Sequence, residues 1–476
     1  MKIIEKKGNE LKILALPNEA VRVGDYLRID DPVQGGSLIA QVYDESYLNS
    51  QSLIDDMIKD ELIGSLADGE SIDPMNIRGL AHLMKDCRLL SCKIRGSLKG
   101  GVFTLNASWL PLRTYARIRV LTLSELFSGM KGRRIELGEG SDGMPFWIPA
   151  EGIDGSLSII TGKKGSGKSH LAKMIISKLV EYGAPVVVFD LNDEYLGLAW
   201  SRDGRPSEIA ERVFRLEPGR NLKFNLNYLG PRAIISVLRN SLDCPGITLR
   251  EFSRLIQSLR SEGRLSLKEL GNEIRRVRCN EAVRDAMTSR YLAMLSSGLF
   301  TDEEGVRLEE LIDREEGSCV VVALAKVKPL ARRMVVELML NKLVELLEAG
   351  AIRPLFLFAE EAHLYIRDTY WDDVITRMRH FGIFTTFITN QPDALKGSVY
   401  RQADNFFIFN FTNSSDLELL SKAISFDEES LKSMVSTLPK GSCLIVGKVV
   451  NGLPVLVKVS ESKLLTLGRT RLCFAD

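Results

Sequence analysis

The chain has 476 residues, 45% of them hydrophobic and 26% charged, so it is long enough for more than one globular unit and unlike a disordered chain. With 63 Lys and Arg against 62 Asp and Glu, the formal charge of +1 excludes a basic coat over the whole surface, and any nucleic-acid contact must rest on a local patch or on charges repeated around an oligomer. No apolar run approaches the roughly 20 residues of a membrane helix, residues 1–7 contain no signal-peptide core, and 7 cysteines without a CxxC pair, beside 4 histidines, indicate neither a zinc site nor a disulfide framework, so a cytoplasmic protein with no membrane partner is expected.

In chain order, residues 1–125 hold short alternating segments (21–29, 38–42 and 101–105) bounded by Gly and Asp turns, which predict a small N-terminal β-barrel with a helical excursion over about 50–90. Residues 126–150 read as a connecting ribbon. From Ser156 strands alternate with helices, the pattern of a parallel α/β sheet, predicting an α/β core over 151–229 and 313–440. Strands are predicted at 157–160, 186–189, 319–324, 355–359 and 384–389. Residues 230–312 leave this rhythm. Thr248-x-x-Glu251 and Ser266-x-x-Glu269 have the form of capping boxes, so a helical insertion is predicted there. Residues 441–476 return to strand character as a C-terminal β extension.

The chemistry is concentrated in four places. Gly162-Lys163-Lys164-Gly165-Ser166-Gly167-Lys168-Ser169, followed by His170, fits G-x-x-x-x-G-K-[ST] in full. In such a loop the glycines let backbone N–H groups close around phosphate oxygens, Lys168 reaches the β/γ-phosphates of ATP, and the Ser169 hydroxyl ligates Mg²⁺. The strand at 355–359 ends in Glu360-Glu361, where the first acid would hold Mg²⁺ through water and the second would polarise the attacking water. Asp190 ends another strand, either as a water-orienting or Mg²⁺-linked acid or as an ordinary loop acid. Arg377 and Arg379 precede the 384–389 strand as candidates for an arginine acting on a neighbour's γ-phosphate, or as surface partners of Asp372 or Asp373. Asn390 and Gln391 end that strand, where an amide can sense the γ-phosphate. Two basic clusters, Arg275-Arg276-Val277-Arg278 and Lys131-Gly132-Arg133-Arg134, are the candidates for DNA contact, although charge runs are usually solvated faces. His363 and His380 are too isolated to be proposed as ligands or bases.

Together these residues resemble the HerA branch of the HerA/FtsK ATPase superfamily, over nearly the whole chain. Val23-Gly24-Asp25-Tyr26 is similar to the family's HAS-barrel, and Gly165-Ser166-Gly167-Lys168-Ser169 to its P-loop. Val188-Phe189-Asp190 with Glu194-Tyr195 is similar to its second strand, Glu360-Glu361-Ala362-His363 to its (D/E)EAH element, and Arg379-His380-Phe381-Gly382 to its GRKFG. The resemblance implies a RecA-like core and favours Arg379 over Arg377 as the trans-acting arginine. It also makes Asp190 a functional acid, and implies a homohexamer with double-stranded DNA in its central pore, working with a NurA-type nuclease on the N-terminal barrel in DNA-end processing. The sequence departs from the pattern at Met378, which replaces a glycine, at Lys163-Lys164, and at the sensor, which is either Asn390 or Gln391. An ATP-gated ring scaffold for a nuclease or defence effector, or a secretion or packaging motor, is the alternative.

Overall fold

The structure, a computed structural model, describes residues 1–47, 86–99, 102–104, 109–365, 378–424, 428–465 and 467. The N-terminal unit is an antiparallel half-barrel of β1 (Lys2–Lys7), β2 (Glu10–Ala15), β3 (Tyr26–Asp31), β4 (Gly36–Tyr47), β5 (Arg88–Lys99), β6 (Val102–Thr104) and β7 (Arg117–Leu121), in the order β1-β2-β5-β4-β3-β7 with β6 on β5. Alternation puts Ile13, Leu27, Ile29, Leu38, Val42 and Leu90 on one buried face. The two end strands do not pair with each other; they carry Lys2, Lys6 and Arg117, Arg119, and charge along an edge opposes further pairing. Most of the expected helical excursion, residues 48–85, lies outside the described residues, and the stretch from Arg88 is already strand β5.

The core is an 11-stranded sheet. Its members are β8 (Arg134–Gly140), β9 (Pro145–Pro149), β10 (Ser158–Thr161), β11 (Pro185–Asp190), β12 (Val213–Leu216), β15 (Ser318–Ala323), β16 (Leu355–Glu360), β17 (Ile383–Thr389), β18 (Asn405–Phe409), β19 (Ser442–Gly447) and β20 (Val455–Val459). The order is β12-β15-β11-β16-β17-β10-β18-β19-β20-β8-β9, parallel as far as β18 and antiparallel beyond it. The parallel strands are apolar over most of their length because both faces are covered, with polar residues mainly at their ends, such as Ser158, Asp190, Ser318, Glu360 and Thr389, and with Thr385 and Thr386 inside β17. Val187 and Phe189 face a core shared with the helix Pro329–Glu348, and Val186 and Val188 face Leu171, Ile175 and Leu179 of the helix Lys168–Glu181. Residues 126–150, read from sequence as a ribbon, supply β8 and β9, whose Ile135, Leu137, Phe146 and Ile148 are buried; the C-terminal hairpin β19–β20 joins them to the parallel strands in one sheet.

The insertion starts slightly earlier than the spacing predicts, with helices Leu226–Asn240, Gly246–Ser261, Leu267–Arg276 and Glu281–Ser297 between β13 (Phe224–Asn225) and β14 (Phe300–Thr301). Ser266 caps its helix by accepting from Glu269 N, as the spacing predicts, but Thr248 does not open one. That helix begins at Gly246 after Pro245, whose fixed φ starts the turn, and Thr248 is buried inside it. The half-barrel and the core meet at the Pro454 carbonyl, to which the fully buried Tyr26 hydroxyl (2.7 Å) and Gln41 Nε2 (2.8 Å) both donate, and again where Ser433 Oγ bonds Asp44 Oδ1 (3.2 Å).

Where β10 meets β18, the fully buried Asn405 side chain donates to Gly152 O (3.1 Å), Ser156 Oγ (3.0 Å) and Ser158 Oγ (3.3 Å) and accepts from Val449 N (2.9 Å). Asn405→Ala would leave these groups unpaired away from water, which costs about 2–3 kcal/mol. A drop of several degrees in the thermal midpoint is expected, and an unchanged midpoint would show that the network is not integral to the core.

Candidate active site

The loop after β10 turns through three glycines with positive φ: Gly162 (151°), Gly165 (75°) and Gly167 (123°). Two of them are also fixed by contact, since a Cβ on Gly162 would lie 2.4 Å from Phe409 Cβ and one on Gly167 would lie 3.0 Å from Phe409 Cε1. The loop thus leans on β18, and Lys163 N and Ser166 O bond to Asn410 O and Gly441 N, each at 3.0 Å. Lys168 opens the following helix with its ammonium on Gly162 O (2.8 Å) and Lys163 O (2.9 Å). Ser166 Oγ is buried without a partner. A glycine cradle, a buried ammonium on weak acceptors and an unpaired hydroxyl at a helix N-terminus fit a phosphate chain. His170 faces away from this work: its Nε2 lies 2.8 Å from Ser460 O and 3.2 Å from Ser462 N, tethering the segment after β20. Lys163 and Lys164 are exposed at the loop's tip.

Four carboxylates face this loop from the carboxyl ends of β11 and β16. Glu360, 3% exposed, accepts from Leu191 N (3.2 Å). Burial first, and then the negative Glu194 and Asp190, push its pKa up to about 8. Asp190 is fully buried, and burial raises its pKa against the opposing pull of three backbone donors, Asn192 N (3.2 Å), Glu194 N (3.1 Å) and Tyr195 N (2.9 Å). Its oxygens therefore shape the loop that carries Glu194. Glu361 sits in the left-handed region (φ 46°, ψ 48°), a conformation uncommon for a residue with a side chain. The turn aims its carboxylate at β17, where Oε2 accepts from Thr389 Oγ1 (3.0 Å) and Oε1 from Asn390 N (3.2 Å). Asn390 is half-buried and Gln391 exposed.

Sequence reasoning missed two contributors, Thr389 and Lys173, and gave Tyr195 no role of its own. Thr389 orients Glu361. Lys173, 3% exposed, lies one helical turn beyond Ser169 with its Nζ 5.8 Å from the Tyr195 ring centroid. Burial lowers the pKa of both Lys168 and Lys173, opposed by the carboxylates around them. Tyr195, fully buried, closes the floor. The signal for Lys173 was its i+4 spacing from Ser169, which puts both on one helix face.

Arg379 is elsewhere. It precedes β17 and pairs with Asp404 before β18, Nη1–Oδ2 at 3.1 Å and Nη2–Oδ1 at 3.5 Å. Asp404 Oδ2 also accepts from Leu157 N (2.8 Å), which precedes β10. Arg379 thus stands at the amino edge of the parallel strands, about 15 Å along β10 from its own P-loop at ~3.3 Å per residue. Arg377, Asp372 and Asp373 lie outside the described residues. Of the basic clusters, Arg275, Arg276 and Arg278 are exposed at the end of an insertion helix, and Arg134 stacks on Trp147 (4.7 Å) at the sheet's far edge.

A carboxyl with a raised pKa keeps its proton in the folded state while the unfolded chain has lost it. Folding stability is therefore greatest below the unfolded value, about 4.5, and declines as pH rises toward 8. The nucleotide-free protein should lose thermal stability between pH 5 and pH 8, and Glu360→Gln should flatten that slope. An identical slope in the variant would exclude Glu360 as its source.

A family model described as the helicase HerA central domain matches residues 156–343. The DNA double-strand break repair helicase HerA of Saccharolobus solfataricus is 24% identical over 344 residues, 64% of this chain and 65% of that protein. Its namesake from Sulfolobus acidocaldarius is 23% identical over 484 residues, 94% of this chain and 90% of that protein. Among solved structures, the bacterial conjugative coupling protein TrwB is 14% identical with a TM-score of 0.53, covering 74% of this chain and 94% of that one. TrwB in complex with ADP and Mg²⁺ gives 15% and 0.52, over 73% and 94% of the two chains. The likeness to TrwB is one of fold, and related ATPases of this fold hold nucleotide and Mg²⁺. Among the described residues, no helix is long and apolar enough to cross a membrane. With the RecA-like sheet, the P-loop and the paired acids of β16, these matches support a HerA-type ATPase of the HerA/FtsK superfamily.

Proposed function

We propose that the chain is an ATP-hydrolysing motor that moves along double-stranded DNA as a homohexameric ring in the cytoplasm. The observation that carries the ring is the position of Arg379. An arginine at the amino edge of the sheet serves a nucleotide only when another copy brings its carboxyl edge, with the P-loop, against it. The DNA substrate is carried over from the relatives, which are named as DNA double-strand break repair helicases. A NurA-type nuclease docking on the half-barrel is carried over from the family resemblance.

In this reading Lys168 exchanges its two carbonyl contacts for the β/γ-phosphate oxygens of ATP. The residues that would hold Mg²⁺ are Ser169 directly and Glu360 through water. Bound Mg²⁺ supplies charge neutralisation on the phosphates. Glu361, fixed by Thr389 and Asn390 N, polarises the attacking water. Asn390 or Gln391 senses the γ-phosphate, since the peptide N–H of Asn390 already links that position to Glu361. Asp190 positions Glu194 and Tyr195 beneath them.

The expected behaviour is an ATPase stimulated by duplex DNA, abolished in Lys168→Ala, and slowed by on the order of 10²–10⁴-fold in Glu361→Gln with nucleotide binding retained. Mass photometry with a non-hydrolysable ATP analogue and DNA should show six copies. A monomer at every concentration, with hydrolysis indifferent to DNA, would sink the reading.

A further inference from the structure

We propose that Asp404 is the positioning residue of the trans-acting arginine, holding the Arg379 guanidinium in place for the nucleotide of the adjoining copy; this rests on the ring reading above. A guanidinium has five N–H donors in one plane, and a side-by-side pair with a carboxylate fixes that plane. Asp404 meets the guanidinium with both oxygens, through an ion-pair contact of Nη1 with Oδ2 (3.1 Å) and a hydrogen bond that Nη2 donates to Oδ1 (3.5 Å). Among the described residues no other partner of the guanidinium is found, which leaves its remaining donors for phosphate oxygens, and the Arg379 side chain is still 42% exposed. The surface pair itself adds little to stability. Its effect is to remove the rotamer freedom of a long side chain before a second copy arrives, which is how pre-orientation lowers a barrier.

Asp404 is itself unable to follow the arginine. Its Oδ2 accepts from Leu157 N (2.8 Å) and its own N–H donates to Leu157 O (2.8 Å). Its carbonyl accepts from Lys448 N (3.1 Å), and the next residue is Asn405 in the buried network with Ser156 and Ser158. The carboxylate is thus bolted to the first residues of β10, the strand that ends in the P-loop. One side chain therefore ties the arginine offered to the neighbour to the strand that carries the chain's own phosphate loop.

A role in the neighbour's site is separable from a role in Asp404's own P-loop by mixing chains. Asp404→Asn keeps an acceptor for Leu157 N while losing the charge that holds Arg379. In uniform rings it should lower kcat by on the order of tenfold, with KM and the affinity for a non-hydrolysable ATP analogue changed less than about twofold. Wild-type chains should then be titrated with Lys168→Ala, with Lys168→Ala/Arg379→Ala, and with Lys168→Ala/Asp404→Asn, and total ATPase measured at each ratio. Both double variants should poison wild-type neighbours more steeply than Lys168→Ala alone. If only the Arg379 double variant does so, the role of Asp404 is overturned and the ring reading survives. If neither does, the trans-acting arginine fails and Asp404 falls with it.

Discussion

A parallel strand has two unlike ends, and the arrangement of this protein follows from that asymmetry. In β10, β11, β16 and β17 the carboxyl ends carry the phosphate loop, Asp190, Glu360–Glu361 and Thr389. The amino ends of β10 and β18 carry Leu157 and Asp404, with Arg379 pinned between. A rigid sheet cannot bring these two edges together within one chain. Any chemistry needing both a P-loop and that arginine is therefore chemistry between copies, and the strand order dictates it without reference to any particular partner.

The carboxyl edge is also where the fold stores electrostatic tension. Asp190, Glu194, Glu360 and Glu361 crowd against Lys168 and Lys173 in a place that water reaches poorly. Burying like charges is unfavourable, and here it is moderated by protonating Glu360 and by giving Asp190 three backbone donors. The left-handed turn at Glu361 belongs to the same economy, since it turns a carboxylate from the end of β16 to the hydroxyl of Thr389 one strand away.

What could be read from the sequence was what is local. The loop from Gly162 to Ser169 and the paired acids after an apolar strand are continuous strings, so their chemistry needed no fold. Strands β11, β15, β16 and β17 were legible because strands covered on both faces carry runs of apolar residues. The same signal was present in Asn405-Phe406-Phe407-Ile408-Phe409 and passed unread, although β18 is the wall on which the phosphate loop leans. β8 and β9 were harder, because β8 shows only two inward apolar residues, Ile135 and Leu137, before Gly138-Glu139-Gly140, and only pairing with β20 reveals the two strands as part of the core sheet. Thr389, Asp404 and Asn405 were invisible for a different reason. Their partners are hundreds of residues away in sequence or one strand over, so their roles exist only once the strand order is known. Lys173 needed only helical spacing, but a lysine on a helix is usually a solvated one.

The central claim is that one nucleotide is served by two copies of this chain. Its most direct measurement is a cryo-electron microscopy reconstruction of the full chain with Mg²⁺, a non-hydrolysable ATP analogue and duplex DNA. The account predicts a closed ring in which Arg379 of one copy lies within hydrogen-bond distance of the γ-phosphate held by Lys168 of the next. A ring, or any other assembly, in which Arg379 faces solvent and each nucleotide touches a single chain would contradict it.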